Sequence, residues 1–562
     1  MLNDYERAIR IQAGITKIFE AAEACGLIEL VGADVQAEEI LTAGNSFFDK
    51  NYFGTRVLVL APHPDDEINI AGNMILTLAA AKAEIFVAYS TNGDFDVAAD
   101  VRAQEAVNAL KILGVPRDKI IFLGYGDGHE LSDEITTSPA GYSETYAPEN
   151  FVDYAKKTFG RHAAYTRQNF KRDLKTLILE LRANIIFCVD FDSHADHRAL
   201  STAFDEVVGE ILSECSDYRP EVYKKFAYAT AFTAAPDFYA PNLLATPKPK
   251  VGETDTYDFD LIDRANYVWA DRVRFPVINS KTVLKGNPLA EAIFAHKSQR
   301  NEWNSLRVIN SDEIFFERRT DSQTFAAKVT ATSGDAAKVR DFKIFPDNLW
   351  QPNNSRGKIF FAWNEAVQVR RVVIYGNALD DESAKIILQL DGKIFNAELP
   401  SRGRPLIIDT EKLFITHAEI SVVDAGKNFG LAEVEFFANA DPLKKIAPFV
   451  KLTVDDNFAY NYAVPWEHEK ISVGIYRFHV EKPVRITATV NDEEILRDYL
   501  EDGELILNFG KANEIVLTAE VVGTEIYDRA IIRRVGDLAQ IQLKVWQWLD
   551  KLRVHKIRKV DR

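Results

Sequence analysis

The chain has 562 residues, 47% of them hydrophobic and 27% charged, a length that calls for several cores rather than one. Its net charge of −17 argues against a nucleic-acid partner, and three scattered cysteines (Cys25, Cys188, Cys215) exclude a disulfide framework or a cysteine metal site. No uncharged apolar window approaches a membrane span, and the charged start (Asp4, Glu6, Arg7, Arg10) is unlike a secretory signal, so a cytoplasmic location is expected.

Residues 1–50 read as a helical extension, with Ile11, Ile15, Ile18 and Phe19 recurring on one face. Over 51–317, short apolar strands alternate with amphipathic helices. Strands are predicted at 57–61, 84–90, 119–123 and 184–190, and helices at 71–82, 100–113 and 169–182. Such alternation predicts an α/β unit with a doubly wound parallel sheet. Residues 124–166 are too long for a simple connection, which marks them as functional or mobile. Arg161, His162, Tyr165 and Arg167, in or beside that stretch, are candidates to line a cleft, whereas His129 reads as an ordinary loop residue.

After about Glu317 the segments become short, β-branched and separated by turn residues, as at 358–363, 369–375, 385–390 and 418–423. This spacing predicts an all-β sandwich over 318–440. A second β block, immunoglobulin-like by strand spacing, is expected over 441–535, with strands at 450–454, 473–480 and 484–490 and a turn at Asn491-Asp492. The end of the chain, 536–562, predicts an amphipathic helix carrying Leu538, Ile541, Val545, Trp548, Leu549 and Leu552 on one face. From Lys544 onward it holds seven Lys/Arg against two Asp. That is the chemistry of a peripheral anchor to an anionic membrane; the alternative is a helix packed on its own β domain.

The chemistry concentrates in two places. The run Arg56-Val57-Leu58-Val59-Leu60-Ala61 reads as a buried strand and is followed at once by Pro62-His63-Pro64-Asp65-Asp66-Glu67. His63 and Asp66, three apart on a tight turn, can reach one ion. A second strand, Ile185-Ile186-Phe187-Cys188-Val189-Asp190, leads to Phe191-Asp192-Ser193-His194-Ala195-Asp196-His197 and offers further ligands. A catalytic metal needs three protein ligands and one open position, and the clusters meet if their strands are neighbours. Glu67 reads as a cap on the following helix rather than a ligand.

PHPDDE at 62–67 and HADH at 194–197 resemble the LmbE/PIG-L family of metal-dependent N-acetylglucosamine deacetylases. The resemblance extends through Thr91-Asn92-Gly93-Asp94, Arg102-Ala103-Gln104-Glu105, Gly124-Tyr125-Gly126-Asp127-Gly128 and His296-Lys297-Ser298-Gln299, in the family's order. It implies a Rossmann-like catalytic domain in which His63, Asp66 and His197 bind a divalent metal, Zn²⁺ or else Fe²⁺ or Co²⁺. It further implies that Asp65 is the general base and that His194, held by Asp196, is the acid or oxyanion partner. Arg102, Asp127 and His296 would contact the substrate. Trp350-Gln351-Pro352, the strand at 359–363 and the stretch at 430–436 resemble discoidin (F5/8 type C) domains, whose loops bind glycans or lipid head groups.

The expected architecture is therefore a catalytic α/β domain followed by two β-sandwiches and a C-terminal helix. The expected activity is removal of the acetyl group from an N-acetylglucosamine-type sugar on a glycan or lipid. The alternatives are a glycan-binding protein with a structural or vestigial metal site, and a hydrolase of another amide.

Overall fold

The computed structural model describes residues 45–535, apart from residues 129–130, 191, 193, 228–241, 247–271, 279–285, 300–307, 345–347, 354–355, 441–443 and 501–502. The helical extension expected before residue 45, the basic helix expected over 536–562 and His129 thus lie outside the described residues.

Branched and aromatic residues fill strands β1 (Arg56–Ala61), β2 (Glu84–Thr91), β3 (Ile120–Tyr125), β4 (Ile185–Val189) and β5 (Glu221–Lys225). β4 and β5 are buried at every position, as central strands covered on both faces must be. The five pair in parallel in the order β3-β2-β1-β4-β5. The sheet does not end there. β6 (Val273–Pro276) and β7 (Asp312–Arg318) extend it, β7 antiparallel to β5 and β6 antiparallel to β7. The sheet is therefore mixed rather than wholly parallel, because β7 returns to β5 from the opposite direction.

Around it run α1 (Asp66–Ala80), α2 (Ala99–Ile112), α3 (Tyr154–Phe159), α4 (Arg167–Leu181), α5 (Ala195–Glu214) and α6 (Pro288–Ala295). The helix predicted over 71–82 begins earlier, at Asp66, and is interrupted by a kink at Ala71 (φ −149°, ψ 26°). The apolar period therefore announces only the part beyond the kink. Helix α5, which carries the HADH motif, is the longest of these and has no forerunner among the predicted helices.

The remainder is β-structure. A six-stranded sheet is formed by β8 (Lys328–Ala331), β9 (Lys358–Gly376), β10 (Ala384–Leu390), β11 (Lys393–Leu399), β12 (Leu406–Asp424) and β13 (Leu431–Phe437). The segments predicted at 358–363 and 369–375 are one continuous 19-residue strand, β9. A core around fully buried Trp350 joins residues of this sheet. Two further sheets share another core. One comprises β14 (Phe449–Val454), β15 (Asn457–Phe458), β17 (Lys470–Phe478) and β20 (Glu504–Asn508). The other comprises β16 (Asn461–Pro465), β18 (Val484–Val490), β19 (Glu493–Leu500), β21 (Glu514–Val521) and β22 (Tyr527–Val535). Phe275 of β6 meets Phe449 and Phe478 at ring-centroid distances of 6.2 and 5.3 Å, so the α/β core continues into this last unit.

Glu435 of β13 is buried beside Arg319 and Arg318, and burial pushes its carboxyl up to about 7 although both guanidinium groups pull it down. The ionised form is thus disfavoured in the folded state. Its contribution to stability is intact below the unfolded value of 4.5 and is lost as pH rises to about 7. Replacing Glu435→Gln should remove this dependence. Denaturant titrations from pH 4.5 to 7.5 should show the variant gaining about 2–3 kcal/mol relative to wild type as pH rises.

Candidate metal and catalytic site

At the end of β1 the chain turns through Pro62-His63-Pro64 into α1, which places His63, Asp65 and Asp66 at the carboxyl edge of the sheet. β4 lies directly beside β1, in register from Val57↔Ile185 to Leu60↔Cys188. It leads through Asp190 and Asp192 to α5, where His194 is the N-cap and Asp196 and His197 occupy the first turn. The two sequence clusters therefore converge.

Asp66 Oδ2 stands 2.9 Å from His63 Nδ1 and 3.2 Å from His197 Nε2, with all three side chains buried. These separations approach the ~3.3 Å edge of a tetrahedral site with bonds of about 2.0–2.1 Å. The other nitrogen of each ring faces a carboxylate. His197 Nδ1 is 2.9 Å from Asp192 Oδ2, and His63 Nε2 is 3.1 Å from Asp127 Oδ1 and 3.2 Å from Asp196 Oδ2. Metal-binding imidazoles commonly have such outer carboxylates, which set the tautomer and raise the basicity of the ring. His63 is the hub: its ring nitrogens lie within 4.8 Å of donor atoms from His194 and His197, from Asp65 and Asp66, and from Asp127 and Asp196.

The electrostatics follow. Burial draws both rings down, but the facing carboxylates outweigh it. Asp127, Asp196 and Asp66 hold His63 well above the usual imidazole range, and Asp66 and Asp192 raise His197 to about 9. Burial likewise opposes ionisation of Asp66, yet His197 and His63 hold it well below the carboxylate range. The site stabilises positive charge between these groups, whether as ring protons or as a cation. Its donor set fits a divalent transition metal.

Asp65 is placed differently. Its backbone adopts φ 150° and ψ −28°, a conformation costing on the order of 1–3 kcal/mol, and its side chain does not cap α1. Instead Asp65 Oδ1 accepts a 2.9 Å hydrogen bond from Arg102 Nη2, which also donates to Pro64 O at 2.8 Å. Burial pushes the Asp65 carboxyl up to about 6 against the opposing pull of Arg102.

His63, Asp65, Arg102, Asp127 and His194 line one cavity of about 840 Å³, together with Phe95, Glu105, Lys297, Ser298 and Gln299 among others. Arg102, expected on the substrate, has its guanidinium committed largely to the motif turn and to Gly93 O, 3.1 Å from Nη1. Asp127 meets both the cavity and His63. His296 is not among the lining residues: it is 4% exposed and its Nε2 is 2.8 Å from Glu67 Oε1, behind the turn. His194 is held by the backbone of Asp196, whose N–H donates to His194 Nδ1 at 3.3 Å. The Asp196 carboxylate, expected to hold that ring, is 3.5 Å from it and closer to His63 Nε2 and to the Gly128 N–H, 3.0 Å away. Burial, followed by the neighbouring His63 and His197 rings, lowers His194 below the usual range.

The other cleft candidates lie elsewhere. Tyr165 is fully buried, His162 pairs with Asp153 at 2.8 Å, Arg167 pairs with Glu206, and none of these or Arg161 lines the cavity. Asp192 and Glu67 acquire partners at the site that sequence spacing does not assign. For Asp192 a signal existed, since it sits between a strand end and two histidines.

The family model described as PIG-L: GlcNAc-PI de-N-acetylase matches residues 58–208. This part of the chain is a PIG-L domain. It contains every candidate residue named above except His296 and the rest of its segment. Among solved structures, the N,N'-diacetylchitobiose deacetylase from Pyrococcus horikoshii, complexed with its inhibitor MPG, is 22% identical. That alignment covers 32% of this chain and 58% of the other, with a TM-score of 0.21. CpGH89CBM32-5 from Clostridium perfringens, in complex with GalNAc-β-1,3-galactose, is 18% identical, covering 20% of this chain and 96% of that one with a TM-score of 0.18. The family 32 CBM of C. perfringens NanJ, in complex with galactose, is 11% identical, covering 20% and 93% with a TM-score of 0.18.

Removing the cation beside Asp65 should raise its titration further. In Arg102→Met, carboxyl-carbon NMR of Asp65 is expected to show a midpoint above about 6, where the wild type is placed.

Proposed function

We propose that the protein is a divalent-metal-dependent hydrolase that removes the acetyl group from an N-acetylglucosamine-type sugar carried on a glycan or lipid. The observation that carries this reading is the position of Asp65. Its carboxylate opens on the cavity beside His63, Asp66 and His197 without completing their close contact. Holding an ion does not require that carboxylate; taking a proton from water beside the ion does. The PIG-L domain at 58–208 supports chemistry on N-acetylated sugars.

In this reading His63, Asp66 and His197 hold the metal, with Asp192, Asp127 and Asp196 fixing the two rings. When bound, the metal supplies Lewis acidity and lowers the pKa of water at the site. Asp65 accepts the proton of the attacking water. With Nδ1 of His194 accepting the Asp196 N–H, the ring hydrogen sits on Nε2 and serves as a donor to the developing oxyanion. Collapse breaks the C–N bond, and the proton on Asp65 passes to the leaving amine, giving acetate and the free amino sugar. Arg102 keeps the Asp65 carboxylate oriented, and Asp127 marks the cavity wall at which sugar hydroxyls dock.

Acetate release from free, nucleotide-linked, oligosaccharide and lipid-linked N-acetylglucosamine tests the reading. Metal-loaded wild type should release acetate, and Asp65→Asn should retain the metal while losing about 10²–10⁴-fold in kcat. No release from any carrier by protein with metal bound would favour a binding protein. Asp192→Asn should instead weaken metal affinity by about 10–100-fold, read by competition with a chromogenic chelator.

A further inference from the structure

Glu67 is completely buried and bridges two parts of the chain. Its Oε2 accepts the backbone N–H of Asp65 at 2.9 Å, while its Oε1 lies 2.8 Å from His296 Nε2. The residue whose N–H it accepts is the one whose backbone occupies the disfavoured φ 150° conformation. Such a conformation persists only where its surroundings over-determine it.

His296 is delivered by α6, which packs closely on α1. At Gly72 a Cβ would lie 2.6 Å from Leu289 Cδ1, so a side chain there would have to displace the Leu289 side chain packed against it. Asn287 caps α6 by accepting the Ala290 N–H at 3.0 Å. Beyond the helix, Ser298 is tied to α2, its N–H and Oγ donating to Glu105 at 2.9 and 2.7 Å. Residues 296 and 298 therefore anchor the segment, and Lys297, Ser298 and Gln299 line the cavity. Of the two His296 ring nitrogens, only Nε2 has a hydrogen-bond partner among the described residues. The hydrogen bond its imidazole makes is thus the one to Glu67. Two apolar residues could fill the same space without burying an ionisable pair.

We propose that Glu67, braced by His296, is a positioning residue that holds the strained Asp65 turn and so aims the Asp65 carboxylate into the cavity. This rests on Asp65 being the base in the function proposed above. It extends the reading from the PIG-L segment at 58–208 to the separate segment at 296–299, which that match does not include.

The test compares Glu67→Met, Glu67→Gln, His296→Leu and His296→Gln by steady-state kinetics, metal stoichiometry and crystallography. Glu67→Met should lower kcat by about 10²-fold, as expected for a displaced base, with KM and metal content near wild type. Glu67→Gln keeps an oxygen for the Asp65 N–H and should retain most of the activity. His296→Leu should fall between them, and His296→Gln should recover part of the loss. In crystals of Glu67→Met, Asp65 should leave its φ 150° conformation. Unchanged kcat in Glu67→Met, or an unchanged Asp65 backbone, overturns the proposal. Equal losses in Glu67→Gln and Glu67→Met, accompanied by loss of metal, would also overturn it in favour of a purely structural pair. Should Glu67→Met not fold, His296→Leu supplies the same kinetic and crystallographic readings. If wild type with bound metal releases acetate from no carrier, the functional reading fails, and the Asp65 backbone in the variant crystals still decides whether Glu67 holds the turn.

Discussion

The parallel pairing of β1 with β4 is the constraint on which the rest of the site depends. β1 has β2 and β3 on one side and β4 and β5 on the other, so the strand order reverses beside it. At such a point the loops leaving adjacent strand ends part to opposite sides and open a crevice. The register Leu60↔Cys188 brings both strands to the sheet edge at the same level. His63 and Asp66, where β1 passes into α1, and His197, in the first turn of α5 after β4, can then meet at hydrogen-bonding distance. A shift of one residue in that register would turn every side chain of one strand to the opposite face.

Convergence creates an electrostatic problem, since many carboxylates are drawn into a buried space. The arrangement answers it by alternating signs. Asp66 lies between two imidazoles, each imidazole has carboxylates on its far side, and Asp65 rests on Arg102. The resulting field favours positive charge beside the Asp66 oxygen, whereas burial raises Asp65 towards neutrality. Two carboxylates adjacent in sequence are thus shifted in opposite directions by their surroundings.

The β units stand apart from this chemistry. Among the described residues, all those lining the cavity lie between His63 and Gln299. The last unit is joined to the α/β core through aromatic packing, with Arg274 also bonded to Asp456 at 2.8 Å. The six-stranded unit is tied to the α/β unit by Lys343 and Glu206 at 2.5 Å. These contacts fix modules around an α/β unit whose own residues form the cavity wall.

Local pattern alone determined the strand–helix alternation through residue 190, the switch to β-structure near residue 317, and the two clusters, 62–67 and 192–197, that gather at the site. Those features depend on the order of side chains along the chain: apolar period, turn residues and the placement of ligating groups at strand ends. Tertiary structure decided the antiparallel edge strands β6 and β7, the inward turn of Arg102, the removal of His296 from the cavity and the pairing of Glu67 with it. His296 and Glu67 are 229 positions apart. Their contact depends on α6 approaching α1 at Gly72, a packing relation between distant segments that no local period encodes.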